Sequence, residues 1–198
     1  MNRCTMAMST LASPTRAFLL SSLLVSMLGD IGHAAEHKAP KTDAAKIANA
    51  MSAAPRAVSR DATIAEMRED GSMTVLRKGA GEWTCVPDDP STPGNDPMCL
   101  DPNAMEWLHA LMTHSPPPDK VGFIYMLQGG WDFSNTDPFA TKLPPGGKPT
   151  ITGPHVMVVG PAAKSIPGYD RTGEGANAAL PYVMWKDTPY EHLMVPVK

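Results

Sequence analysis

An apolar run near the start of the chain decides which part of it folds and in which compartment. Residues 17–29, from Ala17 to Gly29, follow Arg3 and Arg16, the only charges ahead of them. The run has 13 residues and ends against Asp30. A helix rises about 1.5 Å per residue and a bilayer core needs about 20 residues, so this segment is too short to span a membrane. A positive start, an apolar middle and the small residues of Gly32-His33-Ala34 predict a signal peptide over residues 1–34, cut after Ala34 with Ala35 as the near alternative. Cys4 precedes the apolar run, so it is no lipid-bearing cysteine and leaves with the peptide. The expectation is an exported chain, periplasmic or secreted, with no membrane span in its mature part.

Removing the first 34 of 198 residues leaves 164, the size of one ordinary domain with a real core. The remaining 15 basic and 19 acidic residues give a net charge of −4, spread without blocks. Nucleic acid and anionic membrane surfaces call for basic patches, so neither is expected as a partner. An unknown ligand or an envelope protein is.

Export leaves Cys85 and Cys99 where disulfides persist. Zinc and redox cysteine pairs usually sit about two to four residues apart, which this pair does not, so a structural disulfide is expected. The 13 residues it would enclose include four prolines and almost nothing to bury. The chain-entropy model values such a closed loop at about 3 kcal/mol.

Residues 35–55 read as a flexible leader and a short helix over 43–54, with Ile47, Ala50, Met51 and Ala54 at helical spacing and Pro55 at its end. Residues 56–198 read as a single α+β domain. Residues 73–78 and 82–86 flank Gly79-Ala80-Gly81 as a β-hairpin that delivers Cys85. Asp101-Pro102 opens a helix to about Thr113, whose stripe is Ala104, Met105, Leu108, Leu111 and Met112. Residues 121–127 are apolar on both faces, as in a central strand, and 155–159, 182–185 and 191–195 are further strands. Strands outnumber helices without βαβ alternation, and no repeat of 20–50 residues is visible. The fold class that follows is α+β, a mostly antiparallel sheet with one or two packed helices, loop- and proline-rich, with one disulfide.

Several of these segments carry a resemblance: Trp83-Thr84-Cys85, the run 93–99 through Cys99, Tyr125-Met126-Leu127-Gln128-Gly129-Gly130, residues 134–141, Gly153-Pro154-His155-Val156-Met157, and the two segments 182–186 and 192–196. Together, from roughly Ala45 to the C-terminus, they resemble a group of exported bacterial proteins with no assigned activity. The resemblance implies a bacterial envelope location and no particular chemistry.

Two sets of residues stand out as candidate sites. His155 and Met157 on one strand, and His192 and Met194 on another, would each present an imidazole and a thioether on one face. That donor set suits copper(I), with Met184 as a further sulfur. The same methionines serve equally as core fill, because the ten of the mature chain are scattered and Met packs irregular gaps. The second set is Trp131, Asp132, Asn135 and Asp137, on a loop leaving the central strand, where oxygens could take calcium and Trp131 could stack on a sugar. Ordinary turn chemistry explains the same residues, and the spacing is not that of an EF-hand. His109 and His114, five apart, do not share a helix face, and Asp88, Asp89, Asp96 and Asp101 read as a solvated acidic surface.

No Gly-x-Ser-x-Gly, His-Glu-x-x-His, P-loop or dinucleotide fingerprint is present. The favoured reading is a small exported binding protein, non-catalytic and without a cofactor, recognising its ligand through a sizeable exposed patch that includes Trp131 or Trp185. The alternative is an envelope copper-binding protein using His155, Met157, His192 and Met194. A hydrolase with His155 or His192 as base comes third, since triads assemble from distant positions.

Overall fold

Prolines and glycines cut the chain into short elements, and the computed structural model describes them over residues 37–68 and 70–197. The expected signal peptide lies outside the described residues. Helix α1, Asp43–Ser52, starts where the Thr42 hydroxyl accepts the Ala45 N–H at 3.2 Å, and Pro55 separates it from α2, Arg56–Ser59. Strands β1 Thr63–Met67, β2 Met73–Arg77, β3 Thr84–Val86 and β4 Met98–Leu100 lead into α3, Pro102–Met112. Then come β5 Gly122–Met126, β6 Gly130–Asp132, β7 Thr150–Thr152, β8 His155–Val159, α4 Pro161–Ser165, β9 Tyr182–Met184 and β10 His192–Pro196. Eight strands form one sheet in the order β2-β1-β3-β4-β5-β8-β10-β9, and β6 and β7 pair separately. All neighbours are antiparallel except β1 and β3. Over the described residues the fold is therefore α+β with a mostly antiparallel sheet, four short helices and the Cys85–Cys99 disulfide.

Alternation along the strands divides the core into two faces. On one, Val86, Leu100, Ile124, Met126, Met157, Val159, Tyr182, Met184 and Met194 pack under Trp107 and Leu108 of α3. The start of α3 is pressed hard onto the sheet, since a Cβ on Gly122 would lie 2.4 Å from the Ala104 nitrogen. Asp101 fixes that contact by accepting the Ala104 N–H at 2.7 Å with one oxygen and the Phe123 N–H at 3.1 Å with the other. On the reverse face, α1 covers Ile64, Cys85 and Cys99 at one end, and α4 covers Val183 and Leu193 at the other. Phe123, on the strand between them, stays 45% exposed.

Three local expectations need correction. The hairpin across Gly79-Ala80-Gly81 does not form; β1 lies between β2 and β3. Those glycines instead let the chain cross tightly over the start of β1: a Cβ on Gly79 would lie 2.3 Å from the Ala62 carbonyl carbon, and the Gly81 N–H donates to the Asp61 carbonyl at 2.7 Å. The hairpin that does form joins β1 to β2 through Asp70-Gly71, with Gly71 at φ 77° and the Ser72 N–H on the Asp70 carboxylate at 2.9 Å. The buried face of α3 is Ala104, Trp107, Leu108 and Ala110, so Met105, Leu111 and Met112 flank the stripe rather than form it. Finally, Asp88 and Asp96 are buried, not solvated. The Asp96 N–H donates to Asp88 at 2.9 Å, Thr92 donates to Asp96 at 2.7 Å, and His37 in the leader bonds Asp88 at 2.7 Å, so these carboxylates organise the stapled loop from within.

Candidate functional site

The sheet register decides what the two His-x-Met segments can do. In the antiparallel pair β8–β10, Met157 stands opposite Met194 and His155 opposite Pro196, while His192 stands opposite Met184 of β9. All four expected ligands share the α3 face, with Met184, but the histidines sit at opposite ends of it. Four residues of strand rise separate their positions, about 13 Å. Each ring is also anchored toward the start of its own strand: His155 Nδ1 bonds the Gly153 carbonyl at 2.7 Å and His192 Nδ1 the Tyr190 carbonyl at 3.0 Å. The register thus brings Met157 to Met194 and Met184 to His192, and keeps His155 apart, packed against Gly130.

His192 occupies an aromatic chamber. It is fully buried, with its ring 5.4 Å from Trp107 and 4.9 Å from Trp185, edge against face. The two indoles lie 6.3 Å apart and nearly parallel, and Tyr190 meets Trp107 edge-on. A carbonyl oxygen only accepts, so His192 Nδ1 carries the proton and Nε2 presents a bare lone pair. Among the described residues no protein group hydrogen-bonds to it. Burial holds the imidazole neutral by pushing its pKa down to about 4.

The same is true of two further atoms. Among the described residues, the buried side-chain polar atoms without a protein partner are His192 Nε2, Trp107 Nε1 and Asn135 Oδ1. The three residues that carry them all neighbour Trp185: the His192 and Trp107 rings lie against its ring, and the Asn135 backbone carbonyl accepts its backbone N–H at 2.9 Å. Trp185 itself adopts φ 52°, a left-handed backbone that a bulky L-residue rarely takes, and Asp187 follows at φ 63°. The surrounding bonds hold this strain in place. The Trp185 indole N–H donates to the Ser134 carbonyl at 3.0 Å, and Thr188 donates to the Trp185 carbonyl. The Asp187 N–H donates to Glu191 at 2.7 Å, and Arg171 grips the buried Glu191 carboxylate with two bonds of 2.7 and 2.8 Å.

The loop of Trp131, Asp132, Asn135 and Asp137 does other work. Trp131 is half-buried, with its Cβ close to Gly94 of the stapled loop and its ring edge-to-face with Phe133 at 4.6 Å. Asp132 accepts the Ser134 N–H and Asp137 the Phe139 N–H, ordinary turn bonds. The carboxylate at the loop's centre is Glu174, which receives the Ser134 hydroxyl, the Asn135 N–H and the Thr136 hydroxyl between 2.7 and 3.0 Å. His109 is exposed, and His114 stacks on Phe139 at 4.0 Å, so these two histidines also serve separate roles. Trp185 is 7% exposed, part of an enclosed wall rather than of an open patch.

Sequence reasoning singled out His192, Met194 and Met184, assigned Asn135 to a separate loop site, and missed Trp107. Both are distant from β10 along the chain, and only the packing of α3 and the Glu174-ordered loop onto the sheet brings them there. The fold is an α+β domain with a buried cluster of aromatic and thioether side chains around His192. Comparison of the chain with family models, with curated proteins and with solved structures finds no match.

Proposed function

We propose that this chain is an exported, non-catalytic binding protein, periplasmic or secreted, that holds a small ligand in the chamber around His192. The observation that supports it is that the three residues with unpaired buried polar atoms among the described residues all neighbour the strained Trp185. An unsatisfied buried group costs about 1–3 kcal/mol, and a residue in a sparsely populated backbone region a similar amount. Costs of that size concentrated in one place are characteristic of ligand sites, where a guest supplies the missing contacts. The chamber offers one donor, Trp107 Nε1–H, and one acceptor, His192 Nε2, with apolar walls to fix orientation. The hydrolase alternative has less support, because Nδ1 of both His155 and His192 is held by a backbone carbonyl where a triad base has a carboxylate.

Native mass spectrometry of the full-length gene product, recovered from periplasm and culture medium, tests both parts. A polypeptide beginning near Ala35 with an additional non-covalent mass is the expected result. The unprocessed 198-residue chain would refute export. A processed chain with nothing bound in either fraction would refute the ligand seat.

A further inference from the structure

His192 Nε2 is a neutral, deprotonated nitrogen with nothing to accept, which is the state of imidazole that ligates metals. Directly across the β9–β10 ladder stands Met184, and two residues along the same face stands Met194. Opposed positions on one face have Cβ atoms about 4.5–5.5 Å apart, and same-face positions along a strand about 7 Å. The unbranched thioether has three rotatable bonds, enough to turn sulfur toward a common centre across those spans. Met184 and Met194 are both buried in the cluster that contains Trp107 and Trp185.

We propose that the chamber binds copper(I), with His192 Nε2, the Met184 thioether and the Met194 thioether as ligands between the indoles of Trp107 and Trp185. The assignment rests on the reading of the chamber as the ligand seat and names its guest. Thioether and imidazole donors select soft, low-charge ions, and among biological metals copper(I) matches them best. All three donors are neutral, so a divalent ion would keep its full second charge in an apolar interior, where burial of uncompensated charge is most costly. A monovalent ion is burdened least, and the two indole rings offset part of its charge through their π faces. His155 has no place in this set, because the register holds it at the far end of β8. Trp185 and Tyr190, at the two ends of the strained turn, both pack against Trp107.

The test is competition for copper(I) against a colorimetric chelator, under anaerobic conditions with a reductant that spares the disulfide, read together with tryptophan fluorescence. The expected result is one copper(I) withdrawn per chain, with quenching of the indoles. Met184→Leu and Met194→Leu keep side-chain volume and the fold. Each should weaken binding by at least the roughly tenfold that loss of even an outer-shell partner costs a metal site. His192→Gln should abolish binding, and His155→Gln should leave it unchanged. If His192→Gln does not fold, the two methionine variants decide the matter. Copper left entirely with the chelator by the folded protein, or methionine variants that bind like the parent, would overturn the proposal. A protein that refuses copper(I) yet carries another non-covalent mass loses the copper assignment and keeps the seat; one that carries neither loses both.

Discussion

The two ends of the sheet meet the same problem, polar groups inside a core, in opposite ways. At the disulfide end, Cys85 and Cys99 face each other across β3 and β4, and small residues of α1 close over them. The buried carboxylates of the adjoining loop are paired with His37, Thr92 and backbone N–H groups. At the Trp107 end the side chains are larger, the backbone is strained at Trp185, and three buried polar atoms have no partner among the described residues. The first arrangement spends its interactions on holding a proline-rich loop in one shape. The second withholds interactions that the chain could have completed within itself, and in a folded protein the natural beneficiary is something that arrives from outside.

The sharpest way to break the comparison is to remove the staple. Replacing Cys85 and Cys99 with Ala together should lower unfolding stability by about 3 kcal/mol, the entropy returned to a loop of this length. Denaturant titration of the parent and variant measures it, and the near-ultraviolet signature of Trp107 and Trp185 in the folded variant should survive. A loss of that signature would mean that the two ends are one cooperative structure rather than separate solutions.

Gly122→Ala strikes the other end. Its new Cβ would collide with the backbone of Ala104, so α3 must lift from β5. Overpacking of this kind costs about 1–3 kcal/mol. Because α3 carries Trp107, the emission of the chamber tryptophans should shift to longer wavelength, which the staple variant should not show. Equal emission from parent and variant would mean that the helix start moves without its centre.

How much of this contrast was legible in the sequence follows from how local each signal is. The Cys pair, the Asp101-Pro102 helix start and the strands around His155 and His192 announce themselves within a few residues, and they stand where expected. Strand β1 does not: Thr63–Met67 contains Ala, Glu and Met, residues with little strand preference, and only its neighbours β2 and β3 make it a strand. The glycines at 79 and 81 speak for a turn or for a close backbone approach with the same letters, and the approach prevailed. The His-x-Met pattern disclosed the shared face but not the register, which sets the two histidines at opposite ends. Trp107 was hidden by a stripe of Leu and Met that satisfied the helical period one step around the cylinder.

Both regions carry a carboxylate whose pKa is raised by burial, Asp96 of the stapled loop to about 7, and a smaller effect of the same sign lies beside Trp185. Asp132, on the loop that carries Asn135, is half-buried, and burial raises its pKa to about 6, with the charges of Glu174 and Asp137 adding to the shift. Unfolded, the same carboxyl titrates near its ordinary value of about 3.9. Between these values the folded chain holds a proton that the unfolded chain releases, so this group favours folding below about pH 4 and loses that contribution as the pH rises through about 6. Asp132→Asn keeps the acceptor for the Ser134 N–H and removes the charge. It should stabilise the protein by on the order of 1–2 kcal/mol at pH 7 and change little at pH 4. Unfolding curves at the two pH values read the difference, and a variant less stable at pH 7 would show that the ionised carboxylate is wanted there.

The finest distinction is dynamic and requires no substitution. Amide hydrogen exchange follows the free energy of local opening, and ligand-gating segments are drawn from the low-stability end of that range. The amides of Trp185, Thr188 and Tyr190 are bonded to a backbone carbonyl or to a side-chain hydroxyl across a strained turn. Those of Cys85 and Cys99 lie within ladders cross-linked by the disulfide. In the ligand-free protein the turn should therefore exchange well before the stapled strands. Copper(I) should slow the turn and leave the strands as they were, because only the turn's opening competes with the bound state. Slowing at both ends alike would indicate that the ion stabilises the whole fold, and slowing at neither would place its binding away from His192.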